Sequence, residues 1–225
     1  LCFVEQGGGR PRPDGLDRDD RDALCRHMLI EDARDGRLVA TFRVMLLQSG
    51  AQIGQSYAAR FYDLAALTRW PGPMAELGRF CVRPALRDPD VLRVAWGALT
   101  RLVDDAGVTL LFGCSSFPAP YRGALALLSA GHLAPLVWRP GVSATEVVPL
   151  AGPAPDPRQA LAQVPALLRS YLAMGGWVSD HAVVDRDLNT LHVFTGLETT
   201  RVPAARARAL RAVAANGVEP AGIRV

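Results

Sequence analysis

The segment E-L-G-R-F-C-V-R-P at residues 76–84 places two opposite charges inside what is otherwise a short apolar strand. Glu76 and Arg79 are three positions apart, so on a regular strand their side chains point to opposite faces of the sheet. One charge would then enter the core, and an unpaired buried charge costs several kcal/mol. Gly78 between them predicts a β-bulge, which turns both side chains to one side. There they either form a structural ion pair or both point into a site.

The bulk composition is that of a well-buried globular protein. The chain has 225 residues, of which 49% are apolar, and a mean hydropathy of +0.12, enough for one sizeable core. No apolar run reaches the ~18 residues of a membrane-spanning helix, and no signal-peptide pattern is visible. We therefore expect a cytoplasmic protein.

The charged residues exclude several function classes. All 25 basic residues are arginine, which rules out a Schiff-base lysine and a P-loop lysine. The net charge of +3 gives little support to nucleic-acid binding, although a local arginine face can still receive an acidic partner. The four cysteines form no C-x-x-C pair and have the pattern of reduced core thiols.

Hydrophobic periodicity predicts mixed strands and helices. The strands are expected as a hairpin over 27–48, the segment at 76–84, a buried strand at 108–117 and a second hairpin over 177–197. The helices are expected at 88–107, 119–133, 154–176 with a kink or break at Pro165, and 204–217. We expect one α/β or α+β domain over 1–225, with a truncated first helix at 1–6 and a helical extension at 200–225.

Two polar clusters allow more than one interpretation. Asp17, Asp19, Asp20 and Asp22, followed by His27, could hold a cation or supply a general base, but their spacing does not fit an EF-hand loop. The alternative is a solvated acidic loop with a structural histidine. The D-R-D-L-N sequence at 185–189 lies between two predicted strands and favours an ordinary hairpin turn.

The segment F-G-C-S-S-F at 112–117 also contains reactive side chains. Cys114 is not expected to be a nucleophile, because no partner motif surrounds it and a buried strand is a poor place for an attacking thiol. Ser115 and Ser116, at the carboxyl end of that strand, are better placed to hydrogen-bond a ligand.

The combined order of motifs resembles the ornithine N-acyltransferase family of the GNAT superfamily, which is related to the acyl-homoserine-lactone synthases. The order is D-x-D-x-x-D-x-x-C-x-H, T-F-R-V-M, Y-x-x-x-F-x-D-L, E-L-G-R-x-C-V-x-P and L-F-G-C-S-S-F, and the likeness covers roughly residues 1–197. The matching residues include Asp17, Asp19, Asp22, Cys25, His27, Arg43, Tyr57, Phe61, Glu76 and Arg79.

The resemblance implies a fold and a reaction. The fold would be a mixed, mostly antiparallel sheet with a bulged, splayed strand pair, flanked by helices. The α-amino group of ornithine would attack the thioester of a 3-hydroxyacyl chain on acyl carrier protein, giving a lyso-ornithine lipid. Relatives accept glutamine instead, so the acceptor amino acid stays open.

Residue roles follow from placing this chemistry on the matching positions. Glu76 would take the amine proton, directly or through water, with His27 as the competing base. Asp17, Asp19 and Asp22 would receive an ammonium group, and Arg43 or Arg79 a carboxylate. The backbone N–H groups near Phe80, Cys81 and Val82 would polarise the thioester carbonyl, and the strand with Ser115, Ser116 and Phe117 would form the opposite wall.

The donor side departs from acetyl-CoA-dependent relatives. Their pyrophosphate is held by a glycine-rich loop at a helix start. The equivalent segment at 83–93 contains no glycine but carries Arg83, Arg87 and Arg93. These arginines suit the single phosphate of a 4'-phosphopantetheine arm and an acidic carrier protein, or else they merely solvate the helix start. Neither a bound cofactor nor a metal is required by this chemistry.

Two rival functions and a membrane contact complete the expectations. A CoA-dependent acetyltransferase is the rival from the same superfamily, and a non-catalytic lipid- or carrier-binding module is the rival from another class. Because the product would be amphiphilic, we expect peripheral contact with the inner membrane through the arginine-rich helix at 204–214.

Overall fold

The computed structural model describes residues 13–83, 89–117, 121–152, 156–215 and 223–224. The helix end expected at 1–6 and the position of Arg87 lie outside these ranges. The strands are β1 (Arg26–Asp32), β2 (Leu38–Leu47), β3 (Tyr62–Asp63), β4 (Met74–Val82), β5 (Leu110–Phe117), β6 (Gly141–Val142), β7 (Val147–Pro149), β8 (Trp177–Asp185), β9 (Thr190–Glu198) and β10 (Ile223–Arg224). The α-helices are α1 (Pro89–Asp105), α2 (Arg122–Gly131), α3 (Pro157–Gln163), α4 (Ala166–Ala173) and α5 (Ala204–Ala215).

The main sheet is mixed and mostly antiparallel, as expected from the sequence. Its strand order is β10-β1-β2-β4-β5-β9-β8-β7. Only the central pair β4 and β5 is parallel among the described strand pairs of this sheet. Both predicted hairpins are confirmed, as β1–β2 and β8–β9. The parallel pair needs a crossover, and α1 supplies it between β4 and β5.

Strand β4 contains the bulge that the Glu–Gly–Arg sequence predicts. Thr41 pairs with Cys81 and Arg43 pairs with Gly78, so two steps along β2 correspond to three along β4. The bulge therefore lies directly after the glycine. The left-handed backbone belongs to Arg79, with φ +54°, which is uncommon for a residue with a side chain.

The central strand pair splits beyond the bulge. The β4–β5 ladder runs from Met74–Leu110 to Leu77–Gly113 and ends there. At the last rung a Cβ on Gly113 would lie 2.3 Å from the carbonyl oxygen of Leu77, so only glycine permits this close approach. Past it, β4 stays with β2 and β5 stays with β9, which opens a cleft between them.

Two apolar layers cover the two faces of the sheet. On one face α1, α2 and α4 pack against the sheet through Val91, Leu99, Leu128 and Leu168, which meet Val44, Leu111 and Val193. On the other face the connection between β2 and β4, which contains short 3-10 helices, supplies Tyr62 and Leu67 against Met74, Phe112 and Phe194. Because side chains alternate along a strand, Glu76 belongs to the second face and Leu77 to the first.

The helices follow the sequence prediction with one break. The predicted helix at 154–176 is two helices, because Val164 is extended and Pro165 is the N-cap of α4. Helix α5 packs on α1, where Arg211 forms a two-bond ion pair with Asp104 at 2.7 and 2.9 Å. No helix within the described ranges is long and apolar enough to span a bilayer.

Candidate active site

A cavity of about 390 Å³ occupies the cleft between β4 and β5. Its two walls differ in chemistry. The polar wall consists of Arg43, Tyr57, Glu76, Cys114 and His192. The apolar wall consists of Leu77, Val91, Leu92, Leu167 and Leu168. The strands of the cleft therefore separate a polar half of the cavity from an apolar half that lies against the helices.

Glu76 is a buried carboxylate on the polar wall, with 5% of its surface exposed. The backbone N–H of Tyr57 donates to its Oε2 at 2.7 Å, and that of Ala58 donates to its Oε1 at 2.8 Å. Burial raises the pKa of Glu76, although these two hydrogen bonds oppose the shift. The carboxyl group of Glu76 thus fixes the turn at Tyr57. Of the two predicted bases, Glu76 and His27, it is also the better placed.

The bulge brings Arg79 to the cavity that Glu76 also lines. The Nη2 atom of Arg79 lies 3.5 Å from carboxylate oxygens of both Asp17 and Asp19. Its guanidinium lies over the ring of Tyr57, with 5.7 Å between Cζ and the ring centroid. The two charges of the opening segment therefore face one site, as the bulge predicts.

Arg43 is enclosed by two of the predicted acidic residues. Its Nη1 and Nη2 donate to Asp19 at 2.6 and 2.8 Å, and Nη1 also donates to Asp22 at 2.5 Å. Burial lowers the pKa of Arg43, but the bonds to both carboxylates outweigh it and the net shift is upward. Burial likewise raises the pKa of Asp19, yet Arg43 brings it down to about 2. The cluster is a set of ion pairs that ties the 17–22 loop to β2.

His27 does not reach the cavity. Its side chain is exposed, and its Nε2 lies 3.0 Å from the backbone carbonyl of Asp22. The neighbouring Cys25 does line the cavity. The structure therefore brings together Glu76, Arg43 and Arg79 at the cavity and leaves His27 outside its lining.

The two strand edges of the cleft contribute most of the predicted residues. Phe80, Val82, Ser115 and Ser116 line the cavity. Among the lining residues neither Cys81 nor Phe117 is found, and Phe117 lies in the core with 4% exposure. The Oγ of Ser115 accepts a hydrogen bond from Thr195 at 2.9 Å.

Cys114 also lies at the cavity, where its surroundings disfavour the thiolate. Burial raises its pKa well above the ordinary value, and the charges of Glu76 and Asp185 add to the shift. A thiol in this state is a poor nucleophile. This agrees with the expectation from the sequence that Cys114 is not the attacking group.

The predicted carrier-binding arginines are near the cleft but already contact other groups. Nε of Arg83 donates to the carbonyl of Leu38 at 3.1 Å, and Arg93 pairs with Asp90 at 2.9 Å. Both are surface residues at the end of β4 and the start of α1. Arg87 lies outside the described residues.

Two polar-wall residues, Tyr57 and His192, were not assigned a role from the sequence, and neither was Asp185, which bonds Tyr57 but does not line the cavity. The hydroxyl of Tyr57 donates to Oδ2 of Asp185 at 2.6 Å, and burial, with this bond, raises the tyrosine pKa. Asp185 is also the turn residue of the 185–189 hairpin, since its Oδ1 accepts the N–H groups of Asp187 and Leu188. The hairpin turn is therefore confirmed, but its first carboxylate also supports the cavity.

Among the described residues no group of three His, Cys, Asp or Glu side chains is arranged to hold a metal ion. Together with Arg79, the polar wall presents one buried carboxyl group, two arginines and one imidazole, and these groups can transfer protons and bind charged ligands.

Comparison with known proteins identifies the relatives of this chain. Residues 1–97 match the family model of the acetyltransferase (GNAT) domain. An L-ornithine N(alpha)-acyltransferase of Rhodobacter capsulatus is 36% identical over 211 residues, which cover 88% of this chain and 82% of that protein. An L-ornithine N(alpha)-acyltransferase of Rhizobium meliloti is 31% identical over 218 residues, which cover 89% of this chain and 74% of that protein.

Solved structures give a more distant likeness. The CoA-dependent acyl-homoserine lactone synthase MesI is 13% identical, with a TM-score of 0.48 over 96% of this chain and 82% of that one. The GNAT family model and the two named enzymes show that this chain is an acyltransferase. It belongs to the L-ornithine N(alpha)-acyltransferase family.

Proposed function

We propose that this protein transfers an acyl chain from a thioester to the α-amino group of ornithine. The observation that carries the proposal is the two-sided cavity at the β4–β5 cleft, in a member of a family whose relatives bear this activity in their names. An amide-forming acyltransferase must hold a charged amino acid and an apolar chain on opposite sides of one thioester. The polar and apolar walls provide those two environments.

The acyl chain would lie along the apolar wall. Leu92 and Leu167, from α1 and α4, flank the cavity on the side of the helices. The thioester carbonyl would lie at the open edge of β4 near Phe80, where backbone N–H groups of the bulge polarise it. The pantetheine arm would leave between the two strand edges, past Ser115 and Ser116.

Glu76 is the proposed general base. The α-ammonium loses two protons as the amide forms; one is delivered to the departing thiolate and the other to solvent. A carboxyl group whose pKa is raised by burial is a better match to an amine than an ordinary one. His27, the competing candidate, lies outside the cavity, so its role in proton transfer would need a rearrangement of the acidic loop.

Arg79 is the proposed receptor for the carboxylate of the amino acid. Its guanidinium lines the cavity and is held at 3.5 Å from Asp17 and Asp19, longer than the contacts of Arg43. The guanidinium of Arg43 is already bonded to two carboxylates, so we assign it and Asp22 to the support of the loop. Asp17 and Asp19 would then hold Arg79 in place and offer charge to an incoming ammonium group.

The donor is proposed to be a 3-hydroxyacyl chain on acyl carrier protein, which would make the product a lyso-ornithine lipid. In support, Arg83 and Arg93 are exposed at the end of β4 and near the start of α1, and their guanidinium groups suit the phosphate of the 4'-phosphopantetheine arm and an acidic partner. An amphiphilic product also fits transient contact with a membrane, for which the exposed arginines of α5 are candidates.

The test is direct turnover with defined donors and acceptors. The purified protein is incubated with ornithine or glutamine and with 3-hydroxyacyl carrier protein, the matching acyl-CoA or acetyl-CoA, and the amide products are identified by mass spectrometry. We expect a hydroxyacyl-ornithine amide from the carrier-bound donor. Turnover of acetyl-CoA alone would contradict the proposal, and binding of carrier protein without any amide would make the protein a binding module.

A further inference from the structure

His192 is the most deeply buried titratable side chain of the polar wall. It lies on β9 opposite Ser116, and 1% of its surface is exposed. Its ring packs edge-on against Phe61, with 4.9 Å between ring centroids. The Nε2 atom has no hydrogen-bond partner among the described residues, although the residue borders the cavity. Buried polar atoms are usually hydrogen-bonded, so an unpartnered atom at a cavity needs an explanation, and a bound ligand is one.

The bond pattern around the other ring nitrogen assigns the proton. The hydroxyl of Tyr62 donates to the backbone carbonyl of His192 at 2.9 Å, which uses its only proton. The same oxygen lies 3.3 Å from Nδ1, so it accepts there and Nδ1 carries hydrogen. Burial lowers the pKa of His192 to about 4, against the opposing charge of Asp185. The imidazole is therefore neutral, and Nε2 presents a lone pair.

The surroundings of this lone pair favour a positive partner. Asp185 is 2% exposed, and its charge acts on both His192 and the thiol of Cys114. The charge of Glu76 also acts on this thiol. The described arginines of the cavity lining, Arg43 on β2 and Arg79 at the bulge, are both paired with carboxylates of the 17–22 loop. Asp185 thus places a buried negative charge near His192, whereas Arg79 provides a guanidinium at the bulge.

We propose that Nε2 of His192 accepts a hydrogen bond from the side-chain ammonium group of ornithine, with Asp185 as the counter-charge behind it. This rests on the proposed function and adds the residue that selects the acceptor. The side-chain ammonium of ornithine finds a hydrogen-bond acceptor in His192 and a negative field from Asp185, while the carboxylate of the same ornithine lies toward Arg79. A neutral δ-amide would gain the hydrogen bond but not the attraction to Asp185. The assignment therefore favours ornithine over glutamine.

Two variants and two acceptors test this assignment. His192→Phe keeps a flat ring against Phe61 but removes the acceptor, while His192→Gln retains an oxygen acceptor. The acceptors are ornithine and 2-aminopentanoic acid, which has the same carbon chain without the distal amine. We expect His192→Phe to raise KM for ornithine by about tenfold or more, with little change for 2-aminopentanoic acid and partial rescue in His192→Gln.

Three other results would count against the assignment or against the function beneath it. An unchanged KM for ornithine in His192→Phe would overturn the proposal. An equal loss of kcat with both acceptors would also overturn it, because His192 would then act at the reacting amine. If wild type acylates no amino acid at all, the proposed function fails instead, and the two failures are distinguishable.

A binding measurement keeps the proposal testable if a variant does not fold. In wild type with isotope-labelled histidine, the Nε2 resonance of His192 reports the hydrogen bond directly by NMR. We expect ornithine to shift this resonance toward a hydrogen-bonded value, and 2-aminopentanoic acid to leave it in place. Equal shifts with both amino acids, or no shift at saturating ornithine, would contradict the proposal.

Discussion

Glu76 and Arg79 lie three residues apart on one strand and nevertheless line the same cavity. The bulge after Gly78 supplies the extra residue that turns them to one side, and the left-handed backbone of Arg79 is its geometric centre. The bulge therefore presents both charges of this apolar strand at the cleft where β4 separates from β5.

Two substitutions of Arg79 should differ in their effect on stability but not in their effect on substrate binding. Arg79→Gly and Arg79→Ala both remove the guanidinium, but only glycine accepts φ +54° without strain. We expect the glycine variant to be more stable than the alanine variant by about 1 kcal/mol in the free energy of unfolding. Both should show the same rise in KM for the amino acid. Denaturant unfolding and steady-state kinetics measure the two effects, and equal stabilities would show that the strain is absent.

The ionisation of Glu76 should appear in the pH dependence of activity. Burial raises its pKa above the ordinary 4.5, so the native state binds the proton more tightly than the unfolded chain. The contribution of this group to stability therefore falls as pH rises through 4.5 toward the folded pKa. The base form is produced over the same range. We expect kcat/KM to rise along an acidic limb that lies above pH 4.5.

Glu76→Gln tests whether that limb belongs to Glu76. The amide can accept from only one of the two N–H groups of Tyr57 and Ala58, so some stability is lost as well. We expect kcat to fall by about a hundredfold or more and the acidic limb to vanish. A reduced rate with an unchanged pH profile would assign Glu76 to the support of the turn instead.

The sequence predicts local features of the site better than its distant contacts. Gly78 indicates the bulge because a glycine inside a strand typically marks a bulge or a close backbone approach. The glycine does not indicate that the neighbouring Arg79 adopts the left-handed conformation, because tertiary contacts decide which residue of the bulge has a positive φ. The bond between Tyr57 and Asp185 joins residues 128 positions apart, and no local pattern announces it. The role of His192 is hidden from the sequence for the same reason, because it depends on what lies across the cleft.

The ion pairs of Arg43 should be strongly coupled. Arg43→Met leaves Asp19 and Asp22 close together without their cation, and removal of one partner of a buried pair costs about 3 to 5 kcal/mol. Asp19→Asn in that background should restore part of the stability. Denaturant unfolding of the single and double variants gives the coupling energy, and additive effects would contradict a structural role for the pair.

The ion pair between Arg43 and Asp19 should contribute less to stability at low pH. The pKa of Asp19 is lowered from 3.8 to about 2, so its stabilising effect is present above 3.8 and is lost as pH falls toward 2. We expect this loss in wild type and a smaller one in Arg43→Met. The unfolding midpoint measured between these pH values distinguishes them.

The apolar wall should set the length of the acyl chain. Leu167 is a partly buried residue of α4 at the cavity, and a larger side chain there would occupy the space of the chain end. We expect Leu167→Phe to reduce kcat/KM for long donors by about tenfold while short donors are less affected. Leu161→Phe, at an exposed position of α3 outside the cavity lining, is the matched control. A uniform loss for all donors would place the chain elsewhere.

The membrane contact proposed for α5 depends on its exposed arginines. Arg206 and Arg208 are exposed, whereas Arg211 is engaged with Asp104 on α1. Each arginine near an anionic surface contributes about 1 kcal/mol, so the double change Arg206→Glu and Arg208→Glu should release the protein from anionic vesicles. Flotation with anionic and with neutral vesicles measures this, and unchanged activity on a soluble short-chain donor controls for folding. If the variant floats with anionic vesicles as wild type does, α5 is not the membrane-binding element.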